Sequence, residues 1–166
     1  MKIVWDLDGV IRDLNGYLIH LHGGKYPTEW KWTYGNGKSI YDTINDDLSI
    51  LTKCPATAYI SVLKKHFTHP EFWTSQATKW KEPTTEWLSI HFGEHFDVRF
   101  LKCAEKEDRL KQCEDTLLIE DSPNFVDYER IVLIDRPYNQ EVKNVVRIFG
   151  TKHLDNVLEL TKGAVN

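Results

Sequence analysis

The sequence predicts an α/β fold: a Rossmann-like parallel sheet flanked by helices, with a small, mainly helical cap inserted after the first strand. Three observations carry this expectation. Short apolar runs alternate with helix-like segments along most of the chain, the pattern of consecutive βαβ units. The first run, Ile3-Val4-Trp5, leads straight into Asp6-Leu7-Asp8-Gly9-Val10, so two carboxylates stand at the tip of a strand that is apolar on both faces. From Asp13 to about residue 69 the alternation is then interrupted by a segment of different character. With 166 residues and 41% hydrophobic content, the chain can bury one proper core plus a small inserted subdomain. The expected division is a core domain of residues 1–12 and 70–166 and a cap of residues 13–69.

Taken in order, the strand candidates are residues 2–6, 71–74, 98–101, 116–120, 131–135 and 145–149, each a short apolar run. Residues 83–91 begin with proline at a first-turn position and end near Gly93, which predicts a helix. Residues 105–113 are charged and helical in pattern, and residues 123–129 again open with proline. Residues 151–160 carry Leu154, Val157 and Leu158 at helical spacing. Within the insertion, Tyr26, Trp30, Trp32 and Tyr34 precede Gly35-Asn36-Gly37, and residues 39–51 and 55–67 read as two helices. An insertion placed just after the first strand reads as a lid over that strand's tip.

Composition narrows the function classes. A formal net charge of −4 gives no bulk attraction to nucleic acid or to an anionic membrane. No apolar run approaches the length of a bilayer span, and the N-terminus starts a strand rather than a signal peptide. Cys54, Cys103 and Cys113 are odd in number and widely spaced, which fits a reducing, cytoplasm-like compartment. His20-x-His22 and His91-x-x-x-His95 lack a third ligand, and Gly93 interrupts the second pair, so zinc is not expected. Lys64-Lys65 and Lys79-x-Lys81 read as solvated faces, with Lys79 near enough to the second strand tip to reach a bound anion.

A parallel doubly wound sheet gathers its strand tips at one edge. Here they carry Asp6 and Asp8, then Thr74-Ser75, then Glu120-Asp121-Ser122-Pro123. Taken singly, each has an ordinary explanation: Thr74 and Ser75 begin a loop, Glu120 and Asp121 cap a helix, Lys106 is a solvated helix lysine. Their joint occurrence at successive tips is not explained that way. All-oxygen ligation suits Mg²⁺, and a hydroxyl and an ammonium beside such an ion form a cradle for phosphoryl oxygens. Lys106 is best placed to supply the ammonium. Lys111 lies about a turn and a half further along its helix, and Lys102 ends the third strand.

At these residues the chain resembles the haloacid dehalogenase-like phosphohydrolase superfamily. Asp6-Leu7-Asp8-Gly9-Val10, Thr74-Ser75, a lysine before the fourth strand and Glu120-Asp121-Ser122-Pro123 match its four motifs in order. Within it, the chain is similar to the 5′(3′)-deoxyribonucleotidase type, including a later Asp135-Arg136-Pro137-Tyr138-Asn139 stretch. The likeness runs from residue 2 to about 149, with the insertion matching only in placement and size. Glu120 departs from the pattern, since close relatives more often carry aspartate there.

The resemblance implies an Mg²⁺-dependent phosphomonoesterase. Asp6 is then the nucleophile that forms an aspartyl-phosphate, and Asp8 protonates the leaving oxygen and later activates water. The presence of Asp8 argues against a dehalogenase. Mg²⁺ is held by Asp6, the backbone carbonyl of Asp8 and Asp121, with Glu120 acting through water. Thr74 and Ser75 bind phosphoryl oxygens, and Lys106 neutralises charge. The implied substrate is a small phosphate monoester, a deoxynucleoside 5′- or 3′-monophosphate. Trp30, Trp32, Tyr34 and Tyr41 are candidates to stack on its base, or else they pack the lid. Two alternatives are a phosphatase of nucleic-acid termini, which needs an open basic groove, and a non-catalytic binding domain, which the retention of both Asp6 and Asp8 disfavours.

Overall fold

The computed structural model describes residues 1–163; the final part of the expected core span, 164–166, lies outside the described residues. In chain order the elements are β1 (Lys2–Trp5), α1 (Leu14–His22), α2 (Ile40–Asp46), α3 (Ser49–Lys53), α4 (Tyr59–His66) and β2 (Glu71–Thr74). They continue with a 3₁₀ turn (Thr78–Trp80), α5 (Lys81–Phe92), β3 (Asp97–Phe100), α6 (Cys103–Gln112), β4 (Thr116–Glu120) and β5 (Ile131–Ile134). A second 3₁₀ turn (Pro137–Asn139), β6 (Val146–Ile148) and α7 (Thr151–Gly163) complete the order.

The six strands form one wholly parallel sheet in the order β3-β2-β1-β4-β5-β6, the doubly wound arrangement expected from the alternating pattern. Strand order reverses beside β1, and register decides what meets there. Trp5 lies opposite Phe72 on one side and Ile119 on the other, so Asp6 emerges next to Glu120 and close to Thr74. The ladder continues one step beyond the strand, with Asp6 N–H donating to Ile119 O at 2.8 Å.

Apolar residues on both faces of the central strands hold this geometry. One face packs Trp5, Phe72, Ile119 and Val132 against Trp87 and Leu88 of α5 and Leu154 and Leu158 of α7. The other places Val4, Trp73, Leu118 and Ile131 against Leu110 of α6 and Phe125. A third cluster belongs to the insertion, with Leu14, Leu18, Tyr34, Ile44 and Leu51 closing over Trp80. Tyr59, Val62 and Leu63 of α4 pack in the main cluster, so this helix lies against the sheet although it falls within residues 13–69.

The chain leaves and re-enters the core side by side. Asp13 N–H donates to Pro55 O at 2.9 Å, and Thr57 N–H to Ile11 O at 2.7 Å. This pairing uses residues 55–57 as an extended hinge, which is why α4 starts at Tyr59 rather than at 55. The predicted 39–51 helix is broken at Asp47, whose backbone is extended and whose carboxylate accepts from Ser49 N–H at 3.0 Å.

Residues 123–129 form no helix, contrary to the pattern opened by Pro123. Their amides find side-chain acceptors instead of helical carbonyls: Asn124 N–H donates to Ser122 Oγ, Phe125 N–H to Tyr128 Oη and Val126 N–H to Glu107. Among the described residues, no helix is long and apolar enough to cross a membrane.

Trp87 is fully buried and its indole N–H donates to Cys54 O at 2.6 Å, joining α5 to the end of the insertion. Trp87→Ala is therefore expected to cost about 3–5 kcal/mol, read as a lower urea midpoint. Val126→Asp, at a residue 92% exposed, is expected to stay within about 0.5 kcal/mol. Equal midpoints for the two variants would contradict this packing.

Candidate active site

Beyond β1 the chain turns tightly: the amides of Val10, Ile11 and Arg12 all point at Leu7 O, and Gly9 N–H donates to Arg12 O at 2.9 Å. Gly9 has φ +82°, and a Cβ there would lie 1.9 Å from Asp121 Oδ2. Only glycine lets the loops after β1 and β4 come this close.

Lys106 lies in the first turn of α6, which starts at Cys103, and is buried. Its Nζ donates to Asp6 Oδ1 at 2.6 Å and to Glu120 Oε2 at 2.7 Å, with all three residues buried. Lys102 and Lys111 are exposed, so Lys106 is the lysine at the strand tips. Glu120 Oε1 accepts from the amides of Asp121 and Ser122 at 3.1 and 3.2 Å. Thr74 is buried at the tip of β2, and Ser75 Oγ donates to Leu101 O at 2.6 Å. Asp8 stands at the rim, held by Arg12 and by Gln76 Nε2 at 2.7 Å.

The stretch from Asp135 to Asn139 braces this edge. Arg136 Nη2 donates to Gly9 O at 2.5 Å, and the Tyr138 hydroxyl donates to Asp121 Oδ2. Asn139 Nδ2 donates to Asp121 O and to Ile134 O, both at 2.9 Å.

Asp6, Glu120 and Asp121 each offer an oxygen within 4.8 Å of the others. Three carboxylates face one ammonium, so with all of them ionised the cluster carries excess negative charge. Burial, then Glu120, pushes Asp6 up to about 8 against the pull of Lys106. Burial, then Glu120 and Asp6, raises Asp121 well above the usual carboxylate range, opposed by the Tyr138 hydrogen bond. On Lys106 burial opposes the charge, but Asp6 and Glu120 outweigh it and its pKa lies above the ordinary value. Buried acids in excess are stabilised by a cation, and an all-oxygen set of this kind fits Mg²⁺.

A cavity of about 250 Å³ opens on these groups. Its polar end holds Asp6, Asp8, Thr74, Lys106, Glu120 and Asp121, and its apolar wall is Leu14, Trp30, Ile40 and Trp80. A lobe of about 150 Å³ adjoins it between Asp8, Gly9, Trp30 and Trp32. Of the aromatics singled out in the sequence, Trp30 faces the cavity, and Trp32 reaches only the side lobe, stacked on Tyr138 at 5.5 Å. Tyr34 is buried, its hydroxyl donating to Asn15 Oδ1 at 2.9 Å, and Tyr41 packs on Trp80 at 5.6 Å; neither lines the cavity. Trp80, Arg12 and Gln76 were not anticipated. Only the Asp8–Arg12 spacing of four residues offered a signal, as an acid–base pair.

Among the described residues, the histidine pairs belong to no group able to hold a metal ion. The other such group, His66, Asp155 and Glu159, joins α4 to α7 and carries Lys65 on its carboxylates. Lys79 is exposed and does not line the cavity. All three cysteines are free.

Fold and site together define a doubly wound α/β domain with a buried acidic cradle, bridged by lysine, at its switch point. By sequence, no family profile and no curated protein matches the chain. Solved structures do. A candidate beta-phosphoglucomutase from Thermotoga maritima aligns with TM-score 0.56 and 15% identity, over 96% of this chain and 99% of the other. A HAD family hydrolase from Deinococcus radiodurans, solved with bound phosphate and sodium, aligns with TM-score 0.51 and 13% identity. That alignment covers 98% of this chain and 96% of its counterpart. The chain thus shares the fold of a HAD family hydrolase, the fold expected from its motifs.

The raised acids make stability depend on pH. Unfolded Asp6 ionises near 3.8, and the folded group does so near 8. Between these values the folded state holds more protons, so stability falls as pH rises. Protein stripped of divalent ions by a chelator is expected to melt at a higher temperature at about pH 5 than at about pH 8. Scanning fluorimetry checks this, and a melting temperature that climbs across that window would contradict the buried acidic cluster.

Proposed function

We propose that this chain is an Mg²⁺-dependent phosphomonoesterase that works through an aspartyl-phosphate on Asp6, with deoxynucleoside monophosphates as substrates. One observation carries the reading: Asp6, bound by Lys106 at 2.6 Å, shares a cavity with Asp121, Glu120 and the rim acid Asp8. The HAD family hydrolase of the same fold, which binds phosphate, supports it.

In this reading Thr74 and Lys106 receive the phosphoryl oxygens at the closed end of the cavity. Lys106 also fixes the Asp6 carboxylate through Oδ1. A bond forms between an Asp6 oxygen and phosphorus as the bond to the leaving oxygen breaks, and Asp8 gives that oxygen its proton. Water then attacks the phosphorus of the aspartyl-phosphate and passes a proton to Asp8, which restores both acids. Mg²⁺, with Asp6, Asp121, Glu120 and the Asp8 carbonyl as its holders, supplies the positive charge that lets an ionised carboxylate approach an anionic phosphate.

The cavity wall speaks for the leaving group. Trp30 and Trp80 offer aromatic surface beside Leu14 and Ile40. Among the described residues of the lining Lys106 is the one cation, which favours a substrate with a single phosphate. A single phosphate on an uncharged, partly flat group fits best.

The test is phosphate release in the presence of Mg²⁺ from deoxynucleoside 5′- and 3′-monophosphates, sugar phosphates and a 5′-phosphorylated oligonucleotide. The expected order of kcat/KM places the mononucleotides first, with activity lost on adding chelator. Asp6→Asn is expected to lower kcat by about 10³-fold or more with an unchanged circular dichroism spectrum. Turnover that survives this change would overturn the covalent route, and no release from any ester would overturn the reading as a whole.

A further inference from the structure

We propose that Arg12 and Gln76 are positioning residues that fix the proton-transferring face of Asp8 toward the cavity, an inference that rests on the phosphomonoesterase reading. Arg12 is fully buried. Its Nε donates to Asp8 Oδ1 at 2.7 Å and its Nη2 to Asp8 Oδ2 at 3.0 Å, a two-pronged contact that sets the plane of the carboxylate. Gln76 Nε2 adds a third bond, to Asp8 Oδ2 at 2.7 Å.

Thr84 of α5 closes the ring. Its hydroxyl accepts from both Arg12 Nη1 and Nη2 at 3.2 Å, and its single proton goes to Gln76 Oε1 at 2.7 Å. That bond leaves the amide NH₂ of Gln76 facing Asp8. Arg12 Nη1 also donates to Leu51 O, at the end of the cap cluster, at 3.1 Å, and the guanidinium lies 5.6 Å above Trp87. Three separate segments, the loop after β1, α3 and α5, thus hold one fork.

The ring has a consequence for the chemistry. Asp8 Oδ2 receives two hydrogen bonds and Oδ1 receives one. A carboxylate oxygen has two lone-pair sites, so Oδ1 keeps one site to carry the proton. The Asp8 side chain is 22% exposed and lines the cavity, while Arg12 stands behind it. Proton delivery is therefore assigned to Oδ1, at an angle fixed by Arg12 and Gln76. Because Leu51 lies in the cap cluster, the seating of the cap and the aim of the acid are linked through one guanidinium.

Leaving-group dependence tests this. A p-nitrophenolate departs without a proton, whereas the sugar oxygen of a deoxynucleoside 5′-monophosphate needs one. Values of kcat/KM, which report the step that forms the phosphoenzyme, are to be compared for the two esters in wild type, Arg12→Lys, Gln76→Leu and Asp8→Asn. The expected loss on the nucleotide is about 10- to 100-fold for Arg12→Lys and Gln76→Leu, at least tenfold greater than the loss on p-nitrophenyl phosphate. Asp8→Asn should show the same selectivity to a larger degree. Equal losses on both esters, or none, in both positioning variants would overturn the proposal while leaving the phosphatase reading in place. A wild type that cleaves neither ester would remove that reading, and this role with it. Gln76→Leu guards against a folding defect in Arg12→Lys, since it removes two hydrogen bonds, to Asp8 and from Thr84, and leaves the buried charge paired.

Discussion

Lys106 Nζ lies within 2.7 Å of carboxylate oxygens from two different strand tips, and neither the ammonium nor its partners meet much solvent. Everything at this edge of the sheet depends on that contact. Parallel register forces Asp6 and Glu120 side by side, because Trp5 and Ile119 are paired one residue earlier. Two buried carboxylates in that position repel, and the cost of removing them from water is added to the repulsion. The ammonium offsets part of both. It does so from α6, a helix whose hydrophobic anchor, Leu110, lies one turn further on. The charge balance is still incomplete with Asp121 present, which leaves the cluster ready for a cation.

A second set of contacts keeps the loops from relaxing away from this arrangement. Arg136, Tyr138 and Asn139 come from one short turn after β5, yet they grip the loops after β1 and β4 together. The grip is possible because Gly9 presents no side chain to Asp121. Tyr138 also takes the stacked ring of Trp32 on its face and Trp30 at its edge. The residue that orients Asp121 is thus the same one on which the aromatic part of the insertion rests. Lid position and carboxylate orientation are not independent in this molecule.

Which of these features could be read from the sequence follows from the distance over which each is decided. The strands were legible because a buried parallel strand is an unbroken apolar run, and Ile3-Val4-Trp5 or Leu117-Leu118-Ile119 admits few other readings. The acids at their tips were legible for the same reason, since a carboxylate directly after such a run has only the sheet edge to occupy. Residues 123–129 misled because a proline marks a helix start only when the following amides lack better acceptors, and Tyr128 and Glu107 supply them here. The break at Asp47 is likewise a side-chain acceptor displacing a helical one. Thr84 and Gln76 could not be read at all, and Arg12 only as a base four residues from Asp8. Their ring closes across 72 residues between Arg12 and Thr84, and nothing in the local pattern marks a buried arginine. Trp80 was hidden similarly: it belongs to a turn of the core but is packed by the insertion.

The lining of the cavity changes in character along its length. Where Asp6, Thr74, Lys106, Glu120 and Asp121 line it the groups are charged or hydroxylic, so in the proposed reading an anionic phosphoryl group would find the lysine and, when one is bound, a cation. Toward the insertion the lining becomes Leu14, Trp30, Ile40 and Trp80, surfaces that gain from excluding water but cannot neutralise charge. Asp8 stands at the boundary between the two, where the bond to the leaving group would lie. A proton donor placed there serves an oxygen that is attached to phosphorus on one side and to an uncharged group on the other. Three of the four apolar residues, Leu14, Trp30 and Ile40, belong to the insertion, so in the proposed reading the part of the chain that would decide which ester fits is separate from the part that would cleave it. A change of substrate can then arise by altering the insertion alone, with the sheet edge and its acids left as they are.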